Sequence, residues 1–285
     1  MNHEVTINCI NSILKFYSDN NIFITIIDNS SPNNSFKIIK NCFCNKSNIS
    51  FIENSANLGF SKANNIGICF SKEKHDPDFY IVINSDIEFI QENFLDNIKS
   101  IYLRTSFDIL GPDILCFRDG VYLHTSPHSL SVPNMKNIKK RLMSLYIKKI
   151  RLTNSFIDIT LSWIGKLLRL RKNHKSEIDY SKEYFGPKLQ GACYIFSKNY
   201  VMSKDKVFCE DIFFYGEEDA TSYYAKLENR IVLFSPAIKV LHESYGSLNK
   251  ICNSDNAKRI YAINSYIEAY KILIKLMNED CVKKN

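Results

Sequence analysis

The sequence predicts an α/β fold built on a mostly parallel sheet, and three features carry that reading. Two short runs, residues 22–27 and 79–83, are β-branched and aromatic, as buried parallel strands are. Both stop on polar residues: Asp28, Asn29, Ser30 and Ser31 after the first, and Asn84, Ser85 and Asp86 after the second. Segments of helical spacing separate them, and the resulting βαβαβ order implies right-handed crossovers. Ligands of open α/β sheets bind beyond the carboxyl ends of such strands. Both runs therefore deliver acidic and amide groups to one rim.

The elements follow in order. Ile7, Ile10, Leu14 and Tyr17 predict a helix over 5–17. After strand 22–27, Pro32 marks a turn, and a helix near 35–43 leads to a strand at 49–52. The stretch from Asn57 to Gly67 is a polar loop entering a helix that reaches about Lys72. Beyond strand 79–83, residues 109–117 read as a strand and Asp119-Gly120 as a hairpin turn. Residues 189–197 read as a strand carrying Gly191 and Ala192, and 213–227 as a loop end followed by a helix. Residues 231–234 and 238–241 read as short strands around Pro236 that end at His242, and 256–277 as a terminal helix. No internal repeat or low-complexity linker is present. The expected organisation is one domain over 1–250, with a basic helical insertion at 134–183 and a C-terminal helix within 251–285.

Composition narrows the class. Of 285 residues, 45% are hydrophobic and 24% charged, which is ordinary for a globular protein with a sizeable core. Nine scattered cysteines form no CxxC pair, which disfavours a zinc ribbon and suggests a reducing compartment. No signal peptide opens the chain, and no apolar run reaches the roughly 18 residues of a spanning helix; a cytoplasmic location is expected. The net charge of +7 is uneven, since residues 136–175 hold twelve Lys/Arg and a single acid, Asp158. The rest of the chain is net acidic, so global charge is no argument for nucleic acid, and the segment has few interleaved aromatics.

Several residues suit a nucleotide and metal site, each with a plainer reading beside it. Asp28 can accept from the N3–H of a uracil or thymine ring, helped by Asn29, Ser30 and Ser31, or simply cap the turn before Pro32. Asn57 and Gly59, with Asn64, Asn65 and Gly67, can approach a ribose or phosphate closely, or form a polar helix cap. Asp86 can hold a divalent cation whose shell phosphate oxygens complete. Glu217, Glu218 and Asp219 follow Phe213, Phe214 and Tyr215. They are acids at a helix N-terminus, favoured there by the dipole, or they include a general base whose pKa is raised by apolar rings and like charge. His242 ends a β-type run and pairs sensibly with Asp86 around Mn²⁺ or Mg²⁺, or is structural. His3, His75, His124, His128 and His174 receive no role.

Taken in order, Asp28-Asn-Ser-Ser31, Asn57-x-Gly59 through Gly67, Asn84-x-Asp86, Gln190-Gly-Ala192, Tyr215-Gly-Glu-Glu218 and Ser235-Pro-Ala…His242 resemble the family 2 glycosyltransferases of GT-A fold. The rhamnosyltransferase-like branch, which builds cell-surface polysaccharides, is the most similar, and the likeness covers roughly residues 2–248. It implies an inverting transfer from a UDP- or dTDP-sugar to a hydroxyl of a glycan or lipid-linked acceptor. By the same resemblance Asp28 holds the base, and Asn57, Gly59 and Asn65 line the nucleotide. Asn84 and Asp86 form the acidic metal motif that His242 completes, with Mn²⁺ or Mg²⁺ as cofactor. Gly191 and Ala192 flank the donor sugar, and Glu218, with Glu217 beside it, stands where the catalytic base does.

Three departures from the pattern set further expectations. The first strand of the family fold lacks a counterpart, because Met1-Asn2 falls where it should finish; a central strand missing here would expose two unpaired edges. A truncated, non-catalytic nucleotide- or membrane-binding relic is therefore the alternative reading. The residues after Glu218 are altered, with Asp219, Ala220 and Thr221 in place of the usual support. The basic segment is long, and Ile157, Leu161, Ile164 and Leu168 share a helical face near Trp163. That face fits docking on an anionic membrane, at the inner face of the cell membrane, as well as it fits packing on the domain.

Overall fold

The structure, a computed structural model, describes residues 2–17, 22–118, 120–153, 178–243 and 255–283. The first half runs α1 (His3–Phe16), β1 (Ile24–Asp28), α2 (Ser35–Phe43), β2 (Ile49–Glu53), α3 (Gly59–Lys74), β3 (Phe79–Ile83), β4 (Ile87–Phe89) and α4 (Phe94–Thr105). The second runs β5 (Ile109–Arg118), β6 (Val121–His124), α5 (Met135–Thr153), β7 (Tyr184–Phe185), β8 (Cys193–Ser197), α6 (Lys198–Met202), α7 (Glu217–Leu227), β9 (Val232–His242) and α8 (Asp255–Lys283).

The sheets are mixed, which corrects the expectation of a mostly parallel one. β1 and β2 form a separate parallel pair, while the larger sheet has the order β3-β8-β5-β9-β4, with β6 on β5 and β7 on β9. Within it β5 and β9 are parallel; β3–β8, β5–β8 and β4–β9 are antiparallel. The physical reason is that apolarity reports burial, not direction. All five residues of β8 are buried, and such a run reads alike whichever way its neighbours point.

Among the described residues no strand separates β1 from β3. β1 pairs with β2 alone and β3 with β8 alone. Two helices nonetheless hold these edges in one layer. On one face Cys9 and Ile13 of α1 cluster with Ile24, Phe79, Ile81 and Ile83. On the other, α3 sets Ile68 among Tyr80 and Val82, and a Cβ added to its Gly67 would lie 2.3 Å from Ile27 Cδ1. Strand side chains alternate between faces, so both strands are sandwiched by the same helix pair.

Other differences have local causes. The two strands expected around Pro236 are one, β9. Its register against β5 jumps from Ser235 opposite Pro112 to Lys239 opposite Asp113, and Pro236 sits in that jump, where its missing N–H breaks no ladder bond. β8 begins at Cys193, leaving Gly191 and Ala192 in the preceding turn. α4 was not expected, although Phe94, Ile98 and Ile101, at helical spacing, are buried in the main core. Arg118 opposes Val121 across the β5–β6 hairpin, and Gly120 takes φ +83° there. The C-terminal helix packs into the body: Ala269, Tyr270, Leu273 and Met277 cluster with Ile138 of α5 and Ala220 of α7. The amphipathic face expected from Ile157 to Leu168 lies outside the described residues. No helix among the described residues is long and apolar enough to cross a membrane.

Candidate active site

The rim begins at the carboxyl end of β1. Asp28 is buried; its Oδ2 accepts from the Ser31 amide at 3.0 Å, while its Oδ1 is buried with no partner. Ser30 beside it is exposed, with φ +59°. Asn29 staples the neighbouring loop, donating to Asn57 Oδ1 at 2.9 Å and the Gly59 carbonyl at 3.1 Å, and accepting from the Leu58 amide at 2.9 Å. Gly59 must be glycine on two counts: φ is +78°, and a Cβ would lie 2.3 Å from the Phe213 carbonyl oxygen. That carbonyl accepts from the Phe60 amide at 2.9 Å, which fixes the loop before α7 against the start of α3. Asn65 differs from expectation. Its amide donates to the Phe208 carbonyl and Glu210, and its carbonyl accepts from the Phe208 amide. It braces a loop and presents no uncommitted group to a nucleotide.

The second group forms where β3 and β9 end and β4 begins. Ile87 pairs with His242 across β4 and β9, and His242 Nε2 lies 3.2 Å from Asp86 Oδ1. The Glu243 amide donates to the Asp86 carbonyl at 2.9 Å. His242 Nδ1 is buried without a partner. A cavity of about 370 Å³ opens beside this pair, lined by Asn8, Ser12, Lys15, Glu88 and Glu243 as well as Asp86. Asp86 is the one expected site residue on its wall. No cluster of three or more His, Cys, Asp or Glu suited to a cation occurs among the described residues. A touching carboxylate and imidazole nevertheless suit Mn²⁺ or Mg²⁺, provided substrate phosphates supply the remaining oxygens.

The third group surrounds the N-terminus of α7, whose first turn holds Glu217, Glu218 and Asp219. The Gly191 amide donates to Glu218 Oε1 at 2.8 Å, and His128 Nδ1 sits 2.9 Å from Glu218 Oε2. The two glutamates diverge. Burial, and then the charge of Glu218, push Glu217 up to about 7. Burial also acts to raise Glu218, but His128, Lys188 and the Gly191 amide outweigh it, and its carboxyl lies below its ordinary value. The expectation of an acid with raised pKa thus lands on Glu217. Behind them Asp219 is buried, accepting from Arg141 at 2.7 Å, Lys188 at 3.3 Å and the Tyr270 hydroxyl at 3.0 Å.

Backbone contacts join the groups. The Asn84 amide donates to the Ala192 carbonyl at 2.9 Å, and the adjacent Gly191 holds Glu218, so the Asp86–His242 pair adjoins the Glu217–Glu218 corner. Phe213 ties the Asp28–Gly59 group to the same corner. His128 and Lys188 are the residues sequence reasoning missed. His128 is 90 positions from Glu218, and no spacing signal connects them.

This arrangement defines a class, an α/β fold similar to that of the GT-A glycosyltransferases. It resembles S. aureus TarS residues 1–349 with a TM-score of 0.52 and 13% identity, covering 95% of this chain and 69% of that one. GalNAc-T7, solved with UDP, GalNAc and Mn²⁺, gives 0.52 and 13%, covering 89% and 44%. The glycosyl transferase family 2 model matches residues 3–157, more than half of the chain. The chain belongs to that family. Among curated relatives, the low-salt glycan biosynthesis hexosyltransferase Agl10 of Haloferax volcanii is 29% identical over 102 residues, 36% of this chain. The match spans about a third of that relative's length, 31%.

Proposed function

We infer that the protein is an inverting glycosyltransferase, moving a sugar from a UDP- or dTDP-linked donor to a hydroxyl of a glycan or lipid-linked acceptor, in the manner of rhamnosyl- and hexosyltransferases. Family membership supports it, and so does the name of its archaeal relative. The observation that carries it is the adjacency of a metal-suited pair, Asp86–His242, to a negatively charged corner, Glu217–Glu218, through Asn84, Ala192 and Gly191.

In this reading Asp28 Oδ1 accepts from the pyrimidine ring, with Ser30, Asn57 and Gly59 around the nucleoside. Gly191 and Ala192 leave room for the donor sugar. Asp86 and His242, with Asn84 nearby, would hold Mn²⁺ or Mg²⁺. Such a cation, when bound, offsets negative charge on the departing diphosphate. The Glu218 corner drives deprotonation of the acceptor hydroxyl. Contact with anionic membrane belongs to the same proposal. α5 carries seven Lys/Arg and no acid, and exposes Met143, Ile147 and Ile150; this suits a cytoplasmic enzyme working on a lipid-linked acceptor.

Transfer of radiolabelled sugar from a panel of donors is the test. Asp86→Ala and Glu218→Gln should each abolish transfer, and Glu218→Gln should still bind UDP with Mn²⁺ by calorimetry. Wild-type turnover by either variant removes that residue from the reaction. Among the described residues β1 and β3 each pair with one strand only, which favours a second reading, a non-catalytic nucleotide-binding protein. Nucleotide binding without donor hydrolysis or transfer would select it.

A further inference from the structure

We propose that Tyr266 of the C-terminal helix, paired with Tyr215, forms the wall against which a pyranose of the acceptor glycan lies; this rests on the transferase reading above. The two rings stack with centroids 4.6 Å apart and planes 27° apart, and the Phe214 ring meets Tyr215 edge-on at 4.6 Å. Both tyrosines are half-buried. Burial, and then the charge of Glu217, push the Tyr215 hydroxyl up; burial, and then the charge of Glu218, push up that of Tyr266. The pair therefore stands beside the carboxylates that open α7. Neither hydroxyl makes a hydrogen bond among the described residues, whereas a tyrosine hydroxyl taken out of water ordinarily finds a partner. Rings with an apolar body and uncommitted hydroxyls match a pyranose, which offers C–H groups on its faces and hydroxyls around its rim.

The packing of α8 fixes Tyr266 for this task. Tyr266, Ala269, Tyr270 and Leu273 recur at helical spacing, and the last three are buried with Ile138 of α5 and Ala220 of α7. A Cβ added to Gly216 would lie 2.8 Å from Ala269 Cβ, so α8 sits directly on the residue before Glu217. On the same face Tyr270 gives its hydroxyl to Asp219 at 3.0 Å. Tyr266, one turn nearer the N-terminus, is thereby carried to Glu217 and Glu218. Tyr215 holds φ +62°, a conformation that an aromatic residue rarely adopts. It turns the chain between Phe213, which seats on Gly59, and the glutamates. α8 lies outside residues 3–157, so the family match does not supply this wall. It is a place where this chain can set its own acceptor preference.

The test measures transfer of radiolabelled sugar from a panel of UDP- and dTDP-sugars to a panel of methyl pyranosides. Wild type, Tyr266→Phe and Tyr266→Ala are compared in the full chain. Tyr266→Ala should raise the acceptor KM about tenfold while donor KM and UDP affinity stay within about twofold. Tyr266→Phe keeps the ring and should raise the acceptor KM about threefold or less. Saturation-transfer NMR reads the wall without turnover. Irradiating the aromatic protons of the wild-type chain, with UDP and Mg²⁺ present, should reach the C–H groups on one face of a methyl pyranoside more than those on the other. Circular dichroism checks that both variants fold, and if Tyr266→Ala does not, the saturation experiment decides. An unchanged acceptor KM in Tyr266→Ala, a loss that falls on the donor KM instead, or no saturation reaching any pyranoside overturns the proposal and leaves the transferase reading intact. A wild-type chain inert with every donor and acceptor overturns the transferase reading, and the wall with it.

Discussion

Asp219→Ala should cost about 3–5 kcal/mol of stability, the range for breaking a buried ion pair by removing one partner. Asp219 is 2% exposed and joins three parts of the molecule: Arg141 of α5, Lys188 ahead of β8, and Tyr270 of α8. The contributions are unequal. The Arg141 side chain is 40% exposed and reaches water when its partner goes, so its share is about 1 kcal/mol or less. The Lys188 side chain is only 9% exposed, and without Asp219 its ammonium stays buried without its ion-pair partner, offset only by the charges of Glu218 and Glu217; most of the loss arises there. Tyr270 also loses the acceptor of its hydroxyl. Replacing both partners with apolar groups removes the stranded charge, so Asp219→Ala/Lys188→Met should recover most of the stability lost by Asp219→Ala. Equilibrium urea unfolding followed by far-ultraviolet circular dichroism measures both. A single variant within about 1 kcal/mol of wild type, or a double variant no more stable than the single, refutes the reasoning.

Two further outcomes follow from the same site. Gly59→Ala should destabilise by about 2–3 kcal/mol, combining left-handed backbone strain of about 1–2 kcal/mol with a weakened Phe60–Phe213 hydrogen bond; a loss under about 0.5 kcal/mol in urea unfolding would show that the loop yields freely. Glu217 is raised in the folded state, from the ordinary 4.5 up to about 7, so the native protein binds the extra proton. Its contribution is fully present below pH 4.5 and is lost as pH rises to 7. Glu217→Gln should therefore flatten that part of the stability profile and exceed wild type above pH 7, by up to about 3 kcal/mol; unchanged profiles between pH 4.5 and 8 would contradict this.

Local pattern made much of this protein readable. Strand Phe79–Ile83 and helix Ser35–Phe43 appear where composition and periodicity place them, because a short chain segment carries its own burial period. Asp28, Asp86, Glu217, Glu218 and His242 were legible as candidates because each ends or begins such an element. Strand direction was not legible, since β8 is apolar throughout and an antiparallel partner leaves no mark on it. Pairings across long separations were equally hidden. His128 meets Glu218, and Lys188 meets Asp219, only after residues 125–129 fold back on 188–190. The chain by itself determined which segments become strands and helices and which polar groups reach their ends. Tertiary structure alone decided which of those groups share a proton or a charge, because that depends on distances of 2.7–3.3 Å between residues that no sequence period relates.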